Sequence, residues 1–292
     1  MAEASVIVLI TLMVFGAQYF HNKEIIFPEI AAIACGMLLV DKRSWHVSRI
    51  RLWLAIMICA VIGMGVVRYL PLPIIAQMSL GYVIAQLVMY VMQISFAPMI
   101  SACVLPIMLQ SRSVAYLLSA GIMTFLILLC DRLIHGKDEK LVFSNEFTKT
   151  NMQDLVLRSL LVAVMIMGAF MMNVKFMAAP PILVAFTEMT HRDHKVRQRF
   201  RELVVLSILC IGFACLSRYL LTDTYLTLAA LLTIIVDLIV MGYLKFYFPP
   251  VAALSVLAML IPYPAVKVYT FEALASIIIF FACALFFFRK EM

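Results

Sequence analysis

Apolar and polar positions alternate along this chain in long blocks. They mark twelve apolar segments, at roughly 4–20, 26–40, 52–70, 74–94, 97–109, 113–130, 154–173, 179–190, 203–221, 225–244, 249–261 and 270–288. Eight of these run to about 17–21 residues, enough for an α-helix to cross about 30 Å of hydrocarbon. The other four are only about 12–15 residues, or about 20 Å as helix, too short to span lipid alone. Each short segment opens with proline: Phe27-Pro28-Glu29, Phe96-Ala97-Pro98, Ala179-Pro180-Pro181 and Phe248-Pro249-Pro250. Proline is tolerated in a first helical turn, where its missing N–H has no intrahelical partner anyway. The pattern predicts eight spanning helices and four short proline-started helices. Twelve crossings and eight crossings with four re-entrant segments both fit the pattern; the preferred expectation is that the short helices dip inward and cross inside protein, because irregular backbone survives at membrane depth only there.

The pattern also repeats. Arg68-Tyr69-Leu70 recurs 150 residues later as Arg218-Tyr219-Leu220, and the basic stretch 41–51 recurs as 191–201. Phe96-Ala97-Pro98 recurs as Phe248-Pro249-Pro250, and both halves read long, short, long, long, short, long. A repeat on this scale implies duplication. The halves are 1–146 and 151–292, joined by the polar run Asp131 to Asn151. Inside each half, a weaker echo relates Phe27-Pro28-Glu29 to Phe96-Ala97-Pro98. A unit of three crossings is odd, so each half can be read as an inverted repeat, with the two halves parallel.

Composition agrees: 65% hydrophobic and 13% charged residues, with a mean hydropathy of +1.06. A soluble domain is about half apolar and a quarter charged, so a soluble enzyme, a disordered chain and a nucleic-acid reader are excluded. The expectation is an all-α polytopic membrane protein, with membrane lipid as its surroundings and homo-oligomerisation left open. With the 41–51 loop inside and every segment crossing, 17 of the 23 Lys and Arg fall inside. Basic loops favour the cytoplasmic side, so both termini are expected inside and the cell membrane is the expected location. Residues 4–20 lack a basic leader and a cleavage site, and are read as a retained helix. The seven Cys lie in apolar stretches without CxxC spacing, so no disulfide framework, metal site or cofactor is expected.

The second half carries a resemblance. Ala179-Pro180-Pro181-Ile182-Leu183-Val184-Ala185 is followed about 60 residues later by Phe248-Pro249-Pro250-Val251-Ala252-Ala253-Leu254. This resembles the HPP family of integral membrane proteins, named for a His-Pro-Pro-Ala-Gly-Ala-type motif after a transmembrane helix. The match covers roughly residues 155–288, and the first half looks like a diverged copy. Here the motif's His is Phe248, and its Ala-Gly-Ala is Val251-Ala252-Ala253. Some plant members of the family are described as nitrite transporters, so the resemblance implies small-anion transport.

Interrupted helices in repeated units point to a secondary transporter, in which half-helix N-termini near the midplane face an anionic group. The candidate substrate-binding residues are Pro28, Glu29, Pro98, Ser101, Pro180, Pro181, Pro249, Pro250 and Ser255. Asp237 lies in mid-helix, where a carboxylate needs a cavity, a proton or a partner. It is the candidate coupling residue, with Gln86 near its counterpart position. Arg68 and Arg218 read as snorkelling anchors beside Tyr69 and Tyr219, and Glu188 as a surface charge. His191-Arg192-Asp193-His194 reads as a solvated loop in contact with phospholipid. Two alternatives stand beside a carrier for a small, anionic solute. One is a lipid-modifying membrane enzyme, against which the absence of a clustered catalytic set counts. The other is a non-catalytic subunit of a larger complex.

Overall fold

The computed structural model describes residues 1–40, 45, 47–136, 152–190 and 198–288. Among the described residues there are twelve α-helices and no strand. In chain order they are α1 (Ala2–Tyr19), α2 (Glu29–Leu38), α3 (Arg49–Tyr69), α4 (Ile74–Val91), α5 (Pro98–Leu109) and α6 (Val114–His135). The second six are α7 (Met152–Met171), α8 (Pro180–Met189), α9 (Phe200–Leu221), α10 (Leu226–Leu244), α11 (Pro249–Leu260) and α12 (Val266–Phe287). The protein is a polytopic, all-helical membrane protein: α1, α3, α4, α6, α7, α9, α10 and α12 are long and apolar enough to cross a bilayer.

The short helices begin where the prolines stand. Pro98, Pro180 and Pro249 occupy the first turns of α5, α8 and α11, and Pro28 caps α2 from just outside it. α5 ends at Gln110, whose left-handed backbone (φ 50°) turns the chain. The long α6 is opened by Ser113, whose hydroxyl accepts from the Ala115 N–H, and is closed by Gly136 at φ 79°. The capping hydroxyl satisfies one of the orphan N–H groups of the first turn.

Burial separates the two kinds of helix. Only 28–50% of each spanning stretch is buried, and the outward faces carry apolar stripes such as Leu118, Ile122, Phe125 and Leu129 on α6. Every residue of α2, α8 and α11 is buried, as is α5 up to Ile107. The four pack in a closed ring: α2 on α5, α5 on α8, α8 on α11 and α11 on α2. The eight long helices surround it. Helix contacts recur when the two halves are exchanged: within the halves α3–α5 matches α9–α11 and α2–α6 matches α8–α12, and between them α1–α10 matches α7–α4.

Side-chain contacts fix the course of each short helix. Ahead of α2, Glu24 accepts from Ser111 (2.8 Å) and the Ile25 carbonyl accepts from Ser119, both beside the start of α6. Beyond α2, Arg49 pairs with Asp131 (2.6 Å) near the end of α6. So α2 runs from one end of the bundle to the other. α5 leaves the end of α4 and finishes where Gln110 donates to Gln77 (2.8 Å), at the start of α4. Before α8, the Phe176 N–H donates to Glu272 (2.8 Å) early in α12, and after it Phe200 stacks on Phe281 late in α12. α11 starts beside the Arg199–Lys245 carbonyl contact (2.9 Å) at the head of α9 and ends where Tyr263 donates to the Tyr219 carbonyl (3.1 Å) at its foot. All four short helices pass from end to end, α2 and α8 in one direction, α5 and α11 in the other.

Candidate functional site

The ring interior is apolar except for a few side chains. Glu29 is the first residue of α2, where a carboxylate suits the positive end of the helix. It is fully buried, and neither carboxylate oxygen has a hydrogen-bond partner. Ser101, in the second turn of α5, is its near neighbour, and this hydroxyl is also buried and unpartnered. The phenols of Tyr116 (α6) and Tyr269 (α12) and the carboxyl of Glu188 (α8) lie within electrostatic reach of the same carboxylate. Those two tyrosines are matched between the halves. Tyr116 donates to the Ala102 carbonyl of α5 (3.0 Å), and Tyr269 to the Leu254 carbonyl of α11 (2.6 Å).

Asp237 lies halfway along α10 and is fully buried. One of its oxygens accepts from the Ser255 hydroxyl (3.2 Å), and the other is unpartnered. Ser255 also bonds back to the Val251 carbonyl one turn earlier (3.1 Å). Asp237 therefore meets the short helix that follows its own, because α11 folds back antiparallel against α10. Cys210 of α9 and Cys35 of α2 lie beside it.

A third group is a polar line through otherwise apolar packing. Arg158 (α7) is 2% exposed and donates to Gln86 Oε1 (3.0 Å). Gln86 Nε2 donates to the Tyr82 hydroxyl (2.7 Å), and that hydroxyl shares a hydrogen with Thr187 Oγ1 (2.8 Å). Beside Thr187, Glu188 Oε1 accepts from the indole N–H of Trp45 (2.9 Å). The guanidinium of Arg158 also lies 5.8 Å from the ring centre of Phe288, within the range of a cation–π contact.

Several residues sit elsewhere than their sequence neighbourhood implied. Glu188 is not a surface charge; it is 4% exposed, because Trp45 covers it from the facing loop. Arg218 is not a snorkelling anchor; it is fully buried, donates to Asp223 (2.5 Å) and stacks over Tyr263. Arg68 does remain exposed, beside Tyr69. Lys23 shares the same Asp223 oxygen (2.5 Å). Partial burial opposes ionisation of Asp223, but Lys23 and Arg218 together hold its carboxyl below the usual carboxylate range. Pro28 and Pro180 open helices that run one way, while Pro98 and Pro249 open helices that run the other, so Pro181 and Pro250 do not share one end of the ring. The stretch 191–194 lies outside the described residues. Arg158 and Trp45 are functional-site neighbours that the apolar pattern does not single out. The first was legible as a lone cation inside an apolar segment; nothing in the local sequence pointed to the second.

Among the described residues no group of three His, Cys, Asp or Glu is placed to hold a metal ion. No family model, no curated protein and no solved structure matches the chain.

Proposed function

We propose that this protein is a secondary transporter for a small anionic solute, bound among the four short helices. The observation that carries this reading is the ring itself. Four half-length helices, each begun by proline, cross inside a jacket of spanning helices. They leave polar oxygens of Glu29, Ser101 and Asp237 buried and without partners among the described residues. Short buried helices of opposite direction offer positive N-terminal ends toward both halves of the membrane, the arrangement on which carriers for anions rely. The matching contacts of residues 1–146 and 151–292 support a duplicated architecture, within which two halves can rock about a fixed site. The resemblance of Pro249-Pro250 and its surroundings to the HPP family points to the same solute class.

Buried carboxylates repel an anion when ionised, so the anion enters with a positive companion. A second reading, a carrier for cations, draws on the same three acids, Glu29, Glu188 and Asp237. Purified protein in liposomes, tested against a panel of small anions beginning with nitrite and a panel of monovalent cations, separates the two. Anion uptake above that of empty liposomes is the expected result. Uptake of cations alone favours the second reading, and no uptake of either removes the transporter reading.

A further inference from the structure

We propose that Glu29 is the proton-binding site of this protein, cycling between carboxylate and neutral acid inside the ring. The inference rests on the transporter reading for its purpose, and on geometry for its chemistry. An ionised carboxylate buried without a partner is among the costliest groups a protein can hold. Both oxygens of Glu29 are in that position.

No cation among the described residues relieves it. Lys23 and Arg218 are committed to Asp223, Arg49 to Asp131 and Arg158 to Gln86. The groups within electrostatic reach of Glu29 are of another kind. α5 presents Ser101, α6 presents Tyr116, α12 presents Tyr269, and α8 presents a second acid, Glu188. Cys59 of α3 and Cys103 of α5 stand behind Tyr116. α11 contains no titratable residue, and the one acid of α1, Glu3, is exposed near the start of its helix. In the segment leading to α2, Glu24 is engaged by Ser111.

A bound metal cation fits poorly. Calcium and magnesium take about six or more oxygens. Among the described residues, the unpartnered side-chain oxygens at this place are two from Glu29 and one from Ser101. A proton needs one oxygen. When an acid in water gives up its proton, an O–H bond forms on Glu29, and the neutral group then donates to a nearby oxygen such as that of Ser101. Return of the proton to water breaks the bond and restores the carboxylate. The polar line from Glu188 and Thr187 through Tyr82 and Gln86 to Arg158 leads away from Glu29 through apolar packing.

Infrared difference spectra of the purified full chain, stepped between about pH 5 and 9, test the site directly. A protonated-carboxyl stretch that grows on acidification is expected in the native protein and is expected to be lost in Glu29→Gln. Ser101→Ala keeps the carboxyl but alters its neighbour, so it is expected to shift that band. This second variant serves if Glu29→Gln fails to fold. Absence of any titrating band in the native protein overturns the proposal. So does a band that persists in Glu29→Gln, or that Ser101→Ala leaves unmoved. The spectra are independent of solute flux. A titrating band with no flux of any panel ion leaves the proton site standing and removes the transporter reading; flux without the band does the reverse.

Discussion

A buried guanidinium that donates to one amide oxygen, with the Phe288 ring and the Asp154 charge nearby, depends strongly on that amide. Arg158 donates to Gln86 and keeps its Nε unpartnered. Gln86→Leu strands that charge and also removes a donor to Tyr82, so a loss of about 1.5–3 kcal/mol is expected. Arg158→Met leaves only a neutral amide to re-pair, and the loss is expected to be smaller. Denaturant titration in detergent checks the order; equal losses would show that the hydrogen bond to Gln86 carries little of the stability. Asp223 gives a second test at this scale. Its pKa is lowered on folding, so its stabilising effect is present above the unfolded value of about 3.9 and lost as pH falls through the folded one. Asp223→Asn is therefore expected to lower the melting temperature at neutral pH, with a gap from the native protein that closes in acid.

The short helices were legible in the sequence because length and proline act locally. A 12-residue apolar block cannot span lipid, and a proline at its head fixes where the helix starts. The observed starts at Glu29, Pro98, Pro180 and Pro249 follow directly. Side-chain burial at the element ends was not legible. Glu188 and Arg218 each lie beside polar sequence, and only packing by Trp45 and Tyr263 from distant segments buries them. The close approach of α3 to α5 was equally hidden, since Gly63 and Gly65 look alike in sequence. A Cβ on Gly63 falls 2.1 Å from the Cys103 carbonyl oxygen, whereas one on Gly65 meets nothing within 4 Å. Gly63→Ala is expected to cost about 1–3 kcal/mol through overpacking. Gly65→Ala is expected to be neutral or to stabilise by up to about 1 kcal/mol, from the helix propensity gained. Thermal unfolding of the two variants side by side checks this, and similar behaviour of both would contradict the tight crossing.

At the scale of the whole molecule, each end of the bundle has its own cluster of charged side chains. One end gathers Lys23, Asp223, Arg218, Tyr263 and Lys267, and joins the halves through Gln18 with Thr224 (2.7 Å) and Thr227 (2.5 Å). The other end holds Arg49, Arg132, Arg199, Arg201 and Lys245, and it joins the halves through Trp45 and Glu188. Basic residues are favoured on the cytoplasmic side, so the Lys23 end is expected to face outward. The native cysteines suit a labelling test, since all seven are free and none is exposed. Cysteine placed at Lys267 is expected to react with a membrane-impermeant maleimide on intact cells. Cysteine placed at Arg201 is expected to react only after the membrane is opened. The reverse pattern would invert the protein in its membrane while leaving the ring and its proton site unchanged. Labelling of both positions on intact cells would mean that the two ends are not separated by a membrane, and the reading of four full crossings by the short helices would fall with it.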